Sequence, residues 1–192
     1  MQLERLILPH VLPISDLALY GVLGAIAGSL FRVLQMGVGF SLLPRLRAAP
    51  TVIERRRLIF HEAQLVGGIA LLGSAAIFVL TPLVERWVLH GKYHLPATLV
   101  VAAIFSGVAK ILNAFTKGVA TALVDPRELS LVNLAGWVSV ALSVVAGYFG
   151  ARWGLAGVIY GVGLGWFLRA IVSFAVVVRH LRIPSGIPAT AP

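Results

Sequence analysis

Five long apolar stretches, at about 17–43, 63–84, 97–124, 129–149 and 155–178, occupy most of this 192-residue chain. Each matches or exceeds the roughly 20 apolar residues that cross the hydrocarbon of a bilayer. No other feature constrains the fold as tightly. Backbone amides in oil have no water to bond, so runs of this length close their hydrogen bonds internally as helices packed side by side. The spacing predicts an all-α polytopic membrane protein with about five transmembrane helices. Residues 1–183 form one helical bundle in this expectation, and 184–192 a flexible C-terminal tail. Composition agrees, since charged residues make up 12% of the chain and about twice that in soluble domains. Cysteine is absent, which removes disulfides, thiolate metal sites and thiol catalysis. A net charge of +9 would point to nucleic acid in a soluble protein. Here the cations lie in short loops or inside the apolar runs, so no nucleic-acid partner is expected.

The breaks between spans carry their own signals. Pro44 and Pro50 are expected to end the first span and Pro82 the second, while Gly91 and Pro96 bracket the loop before the third. Asp125-Pro126-Arg127-Glu128 reads as a helix start, with Asp as N-cap, Pro at N1 and Glu at N3. The opening MQLERLILPHVLP is unlike a cleavable signal, because Glu4 and Pro9 interrupt its short apolar run. Eight cations (Arg45, Arg47, Arg55, Arg56, Arg57, Arg127, Arg179 and Arg182) fall on one side of these spans. Four (Arg5, Arg86, Lys92 and Arg152) fall on the other. The positive-inside rule then places the 44–62 loop and the C-terminus in the cytoplasm. That loop, RLRAAPTVIERRRLIFHEA, has the pattern of a short amphipathic helix lying on the inner leaflet, where membrane lipids would meet its arginines.

Four cations remain inside the apolar runs: Arg32, Lys110, Lys117 and Arg169. Arg32, Lys110 and Arg169 lie near mid-span, where each would cost about 2.5–3.5 kcal/mol if it faced lipid. Lys117 is nearer the cytoplasmic end, within snorkelling reach of the surface. In SGVAKILNAFTKGVAT (106–121), Ser106, Lys110, Asn113, Lys117 and Thr121 fall on one helical face. All seven acids (Glu4, Asp16, Glu54, Glu62, Glu85, Asp125 and Glu128) lie in loops or at span ends. A single intramembrane Arg can be met by backbone carbonyls. Several on separate spans, with no acid among them, point to a shared cationic cavity that receives an anion. Arg32, Lys110, Asn113, Lys117 and Arg169 are the candidate lining residues.

Gly157, Gly161 and Gly165 repeat every four residues, a stripe that permits close helix packing. His10, His61, His90, His94 and His180 sit at loops or span ends, with Gly91 separating His90 from His94, so no metal site is expected. Trp87, Trp137, Trp153, Tyr93 and Tyr148 suit interfacial belts. No phosphate loop, nucleophile–base pair or paired carboxylates appear, so neither enzyme activity nor a cofactor is expected.

The order of these features resembles the second half of polysaccharide flippases of the multidrug/oligosaccharidyl-lipid/polysaccharide superfamily, the O-antigen type. QLERLILPHVLPISDLALYGVL (2–23) resembles that family's junction between its seventh and eighth helices, although the usual Gly-x-Tyr is altered here to Ala18-Leu19-Tyr20. LLPRLRA (42–48), TPLVERWVLHGKYHLP (81–96) and RWGLAGVIYGVGLG (152–165) resemble the ends and loops of later helices. The resemblance implies a half-bundle of the flippase fold, preceded by the tail of another helix, in a bacterial cytoplasmic (inner) membrane with its C-terminus cytoplasmic. The implied function is polysaccharide biosynthesis, as in O-antigen and lipopolysaccharide export, by alternating access with an undecaprenyl-linked glycan as substrate. It further implies an N-terminal six-helix half, encoded separately or lost. Two other functions fit the same residues. A drug or metabolite antiporter of this fold would be expected to carry acids in its cavity. A non-transporting scaffold or remnant would tolerate the cations without using them.

Overall fold

A computed structural model describes residues 4–182, apart from the side chains of residues 4–7 and 38–43. The expected tail at 184–192 lies outside the described residues. A short helix α1 (Glu4–Val11) precedes α2 (Ile14–Ala48), α3 (Val52–Trp87), α4 (Ala97–Leu123) and α5 (Pro126–Gly150). A 3-10 turn (Ala151–Trp153) then leads into α6 (Gly154–Arg182), and no strand occurs among the described residues. Four helical runs are long and apolar enough to cross a membrane: Ile14–Gly37, Val52–Trp87, Ala97–Leu123 and Pro126–Leu181. The last is a hairpin rather than a rod, because α6 folds back along α5. Gly154, at φ +71°, makes the bend in a conformation that L side chains rarely adopt. The chain is thus an all-α polytopic membrane protein.

Two expected boundaries are corrected. Residues 44–62 do not form a separate surface helix; α2 continues through Pro44 to Ala48, and α3 begins at Val52. The start of α3 is fixed by Thr51, whose Oγ1 accepts from the Glu54 amide at 3.2 Å, an N-cap with an acid at N3. The basic stretch is therefore the first turns of a 36-residue helix. At about 1.5 Å per residue this helix outruns a hydrocarbon core of about 30 Å, so it tilts or projects. Arginines from α2 and α3 hold that corner together. Arg55 Nε donates to Ala49 O at 3.0 Å, the Arg56 guanidinium donates to Leu181 O on α6, and Arg45 pairs with the buried Glu62 at 2.8 Å. Pro82 likewise lies inside α3 rather than ending it. There the neighbouring Thr81 hydroxyl donates to Ile77 O at 2.6 Å, and a hydroxyl of this kind helps a spanning helix tolerate proline.

Helix α4 is the centre of the bundle, with α2 and α3 against one side and α6 against the other; α5 packs on α6. One apolar cluster joins Leu8, Leu23, Phe31, Ile77, Leu99, Val158 and Val162. A second, at the other end of the helices, joins Leu46, Phe115, Val119, Val124 and Val177. The outward faces of α3 and α5 carry exposed Leu71, Leu72, Val79, Leu134, Val138 and Val145, as suits helices bordered by acyl chains. Trp137, expected at an interface, sits well inside α5, 69% exposed on this same apolar face.

Glycine sets the α5–α6 spacing. A Cβ at Gly157 would collide with Gly150 O, one at Gly161 with Ala146 O, and one at Gly165 with the Ser143 hydroxyl. At Gly157 and Gly161, α6 thus meets the α5 backbone directly, and at Gly165 it accommodates the Ser143 side chain, the close approach that small residues four apart allow.

Candidate functional site

A cavity of about 370 Å³ opens between α2, α4 and α6. On α2 its wall is the face carrying Tyr20, Gly24, Gly28, Arg32 and Gln35, residues that fall one turn apart. Helix α4 contributes Ser106, Gly107 and Lys110, and α6 contributes Ile159 and Trp166. The space exists because α2 brings glycine to its inner face: a Cβ at Gly24 or Gly28 would meet nothing within 4 Å. Phe31 closes one side by lying over Gly107, where an added Cβ would strike its ring. Among the described residues, two cations, Arg32 and Lys110, and no carboxylate line this cavity.

Three carboxylates are paired elsewhere. Glu62 pairs with Arg45 near the α2–α3 corner. Glu85 accepts from the Leu95 amide at 2.6 Å and lies 3.4 Å from His94. Glu128, in the first turn of α5, lies 3.2 Å from His180 near the end of α6. Asp125 stands at the N-cap position of α5, where its side chain makes no capping bond. Among the described residues no carboxylate comes within 4 Å of Arg32, Lys117 or Arg169.

The five candidate residues divide into two groups. Arg32 and Lys110 share the cavity. Arg169 is not on its wall; its guanidinium lies over the Trp166 ring, 5.7 Å from the centroid, and fills the notch left by Gly136 on α5. A Cβ at Gly136 would sit 2.8 Å from Arg169 Cζ. Lys117, two turns along α4 from Lys110, is not on the cavity wall either. Asn113 is buried on α4, off the cavity wall, and its Oδ1 has no hydrogen-bond partner. Thr121 Oγ1 donates within its own helix to Lys117 O at 2.8 Å.

Sequence reasoning missed Trp166, Tyr20 and Gln35. Trp166 was detectable as a ring three residues before an intramembrane Arg, the spacing that places both on one helical face. Its indole borders the cavity and carries Arg169 on the same ring, so it joins the two cationic groups.

Comparison with known protein families, characterised proteins and solved structures finds no match to this chain. The flippase resemblance therefore rests on the quoted residues alone, and function is argued from the cavity.

Proposed function

We propose that the chain forms one half of a transporter that carries a phosphate-bearing, lipid-linked oligosaccharide across the bacterial cytoplasmic membrane by alternating access. The observation that carries this is the cavity itself. Two cations from separate helices line one space inside an apolar bundle, with no acid on its wall among the described residues. Arg32, with no carboxylate within 4 Å among the described residues, calls at such depth for a counter-charge or water, and an anionic headgroup supplies the first. The volume, about 370 Å³, lies at the lower end of small-molecule sites. It suits a diphosphate with its first sugar, while the lipid tail stays among acyl chains and the rest of the glycan extends outward. In this proposal a second helical half supplies the facing wall, and the C-terminus is cytoplasmic. An exporter of cationic drugs would call for acids where this wall has none.

The roles follow from the chemistry of the side chains. Arg32 offers a planar, multiply donating guanidinium that matches phosphoryl oxygens, and Lys110 adds a mobile point charge. Ligand must bind one facing state better than the other for transport to be driven in one direction. The test is glycan export in cells that supply both halves. Arg32→Ala with Lys110→Ala is expected to reduce surface glycan at least tenfold while the protein still reaches the membrane at normal level. Undiminished export by that double variant would refute the proposal.

A further inference from the structure

A groove of about 800 Å³ lies at the corner where α2 passes into α3. The end of α2 and the turn contribute Arg45, Ala49 and Pro50. Helix α3 contributes Glu54, Arg57, His61 and Gln64, which follow one another at three- and four-residue steps and so form one face. Arg45, Arg47, Arg55, Arg56 and Arg57 gather at this corner. Such a density of guanidinium groups does not sit in hydrocarbon, so the groove lies at the level of lipid headgroups.

The charged groups on its wall are not spent on one another. Arg55 and Arg56 donate to the carbonyls of Ala49 and Leu181, and neither lines the groove. Arg57 has no carboxylate, and Glu54 no cation, within 4 Å among the described residues. They stand one turn apart on the same wall and do not pair. Arg45 is held by the buried Glu62 through one guanidinium nitrogen, and arginine has further N–H donors to offer. Arg45 and Arg57 bring two positive charges; Glu54, and Glu62 behind Arg45, bring two negative ones. With His61 neutral the groove is balanced, so an anion would find no net charge to neutralise. A ligand carrying both signs fits better.

The polarity is ordered along α3. Glu54 lies about 4.5 Å nearer the start of the helix than Arg57, at about 1.5 Å per residue. His61 and Gln64 come next. Beyond them Leu65 and Ile69 continue the His61 face at four-residue steps, and both are exposed. Gly68, one turn past Gln64, leaves open space beside them, since an added Cβ would meet nothing within 4 Å. Carboxylate, guanidinium, neutral polar groups and apolar track is also the order of partners for an aminophospholipid: ammonium, phosphodiester, glycerol esters, acyl chains. The two methylenes between ammonium and phosphate reach about as far as the step from Glu54 to Arg57.

We propose that the α2–α3 corner binds a phospholipid with a phosphoethanolamine headgroup, its ammonium on Glu54, its phosphate on Arg57, Arg45 and His61, and an acyl chain along Leu65 and Ile69. The site needs only that the chain spans a membrane and does not rest on the transport reading. The full chain, in a non-ionic detergent, is titrated with phosphatidylethanolamine, phosphatidylcholine and phosphatidylglycerol of identical acyl chains, and bound lipid is counted by native mass spectrometry. Phosphatidylethanolamine is expected to bind severalfold more tightly than the other two, because methylation removes the N–H donors and glycerol the positive charge. Glu54→Gln keeps the amide that Thr51 caps and should erase the preference for ethanolamine over choline. Arg57→Gln should weaken both lipids severalfold. Arg47→Gln, at the same end of α2 but off the groove wall, should change neither. Equal losses with Arg47→Gln and Arg57→Gln would mean diffuse attraction to a basic surface and overturn the site. Equal binding of the three lipids, a preference for phosphatidylglycerol, or an ethanolamine preference that survives Glu54→Gln overturns the headgroup assignment. Soluble glycerophosphoethanolamine is expected to displace the lipid only in large excess; displacement at equal concentration would assign the groove to a soluble ligand and overturn the lipid.

Discussion

Replacing Gly161 by Ala puts a number on the packing of the α5–α6 hairpin. The added methyl would stand 2.5 Å from the carbonyl carbon of Ala146 and 2.7 Å from the amide nitrogen of Gly147, both backbone atoms of α5. Carbon atoms in good contact sit about 3.5–4.0 Å apart, so α5 must retreat by about 1 Å at that level. Overpacking costs about 1–3 kcal/mol, and a backbone has no rotamer with which to escape, which favours the upper half of that range. Alanine returns about 0.8–1.0 kcal/mol through its better helix propensity, leaving a net loss of about 1–2 kcal/mol. The control is Gly68→Ala on α3, where an added Cβ meets nothing within 4 Å. There the propensity acts alone and stabilises by about 0.5–1 kcal/mol. Reversible unfolding of the full chain in mixed detergent micelles measures both. Opposite signs are expected. Gly157→Ala with Gly161→Ala is expected to cost less than the sum of the two singles, because one retreat of α5 serves both methyls. If Gly161→Ala proves as stabilising as Gly68→Ala, the backbone-on-backbone approach described for the hairpin is wrong.

Thr51→Val removes the hydroxyl that caps α3 and should cost about 1 kcal/mol; amide exchange over residues 52–56 is expected to quicken severalfold, and unchanged exchange would show that the cap does not hold this end. Glu62→Gln removes the buried carboxylate that Arg45 meets at 2.8 Å. Because the Arg45 side chain is 62% exposed, the loss should be near the lower end of a charged hydrogen bond, about 1–2 kcal/mol, and smaller in high salt; a loss independent of salt would point to packing rather than charge.

The spans were legible because an unbroken apolar run leaves the backbone no choice but a helix. The ends of α2 and α3 were not, since Pro44 and three consecutive arginines look like loop chemistry. The stronger signal was the capping sequence Thr51-Val52-Ile53-Glu54, which starts α3 just after Pro50. At the site, depth and helical phase placed Arg32 and Lys110 plausibly enough, and both line one cavity. Arg169 has the same depth and the same lack of an acid, yet it lies elsewhere. What draws it aside is a missing side chain on another helix, the notch at Gly136, together with the face of Trp166. A sequence read one helix at a time does not contain that relation.

The contacts between helices also fix how the two cationic groups would behave in the proposed cycle. The α5–α6 seam is backbone against backbone at Gly157 and Gly161, so these helices must travel together. Between α4 and α6 the contact runs through Phe105, with its ring 5.7 Å from Tyr160 and 6.3 Å from Phe167. Between α2 and α4 it runs through Phe31 over Gly107. A ring can change rotamer or slide where a bare backbone cannot, so α2 can swing against α4 more readily than α6 can move against α5. Arg32 would move with it, whereas Arg169 stays with the hairpin to which Gly136 fits it. Withdrawal of α2 would carry Arg32 from Lys110 and weaken the cavity, leaving Lys117 and Arg169 where they are. The cavity would then differ in affinity between the two states, which is the condition a ligand needs in order to shift one state toward the other.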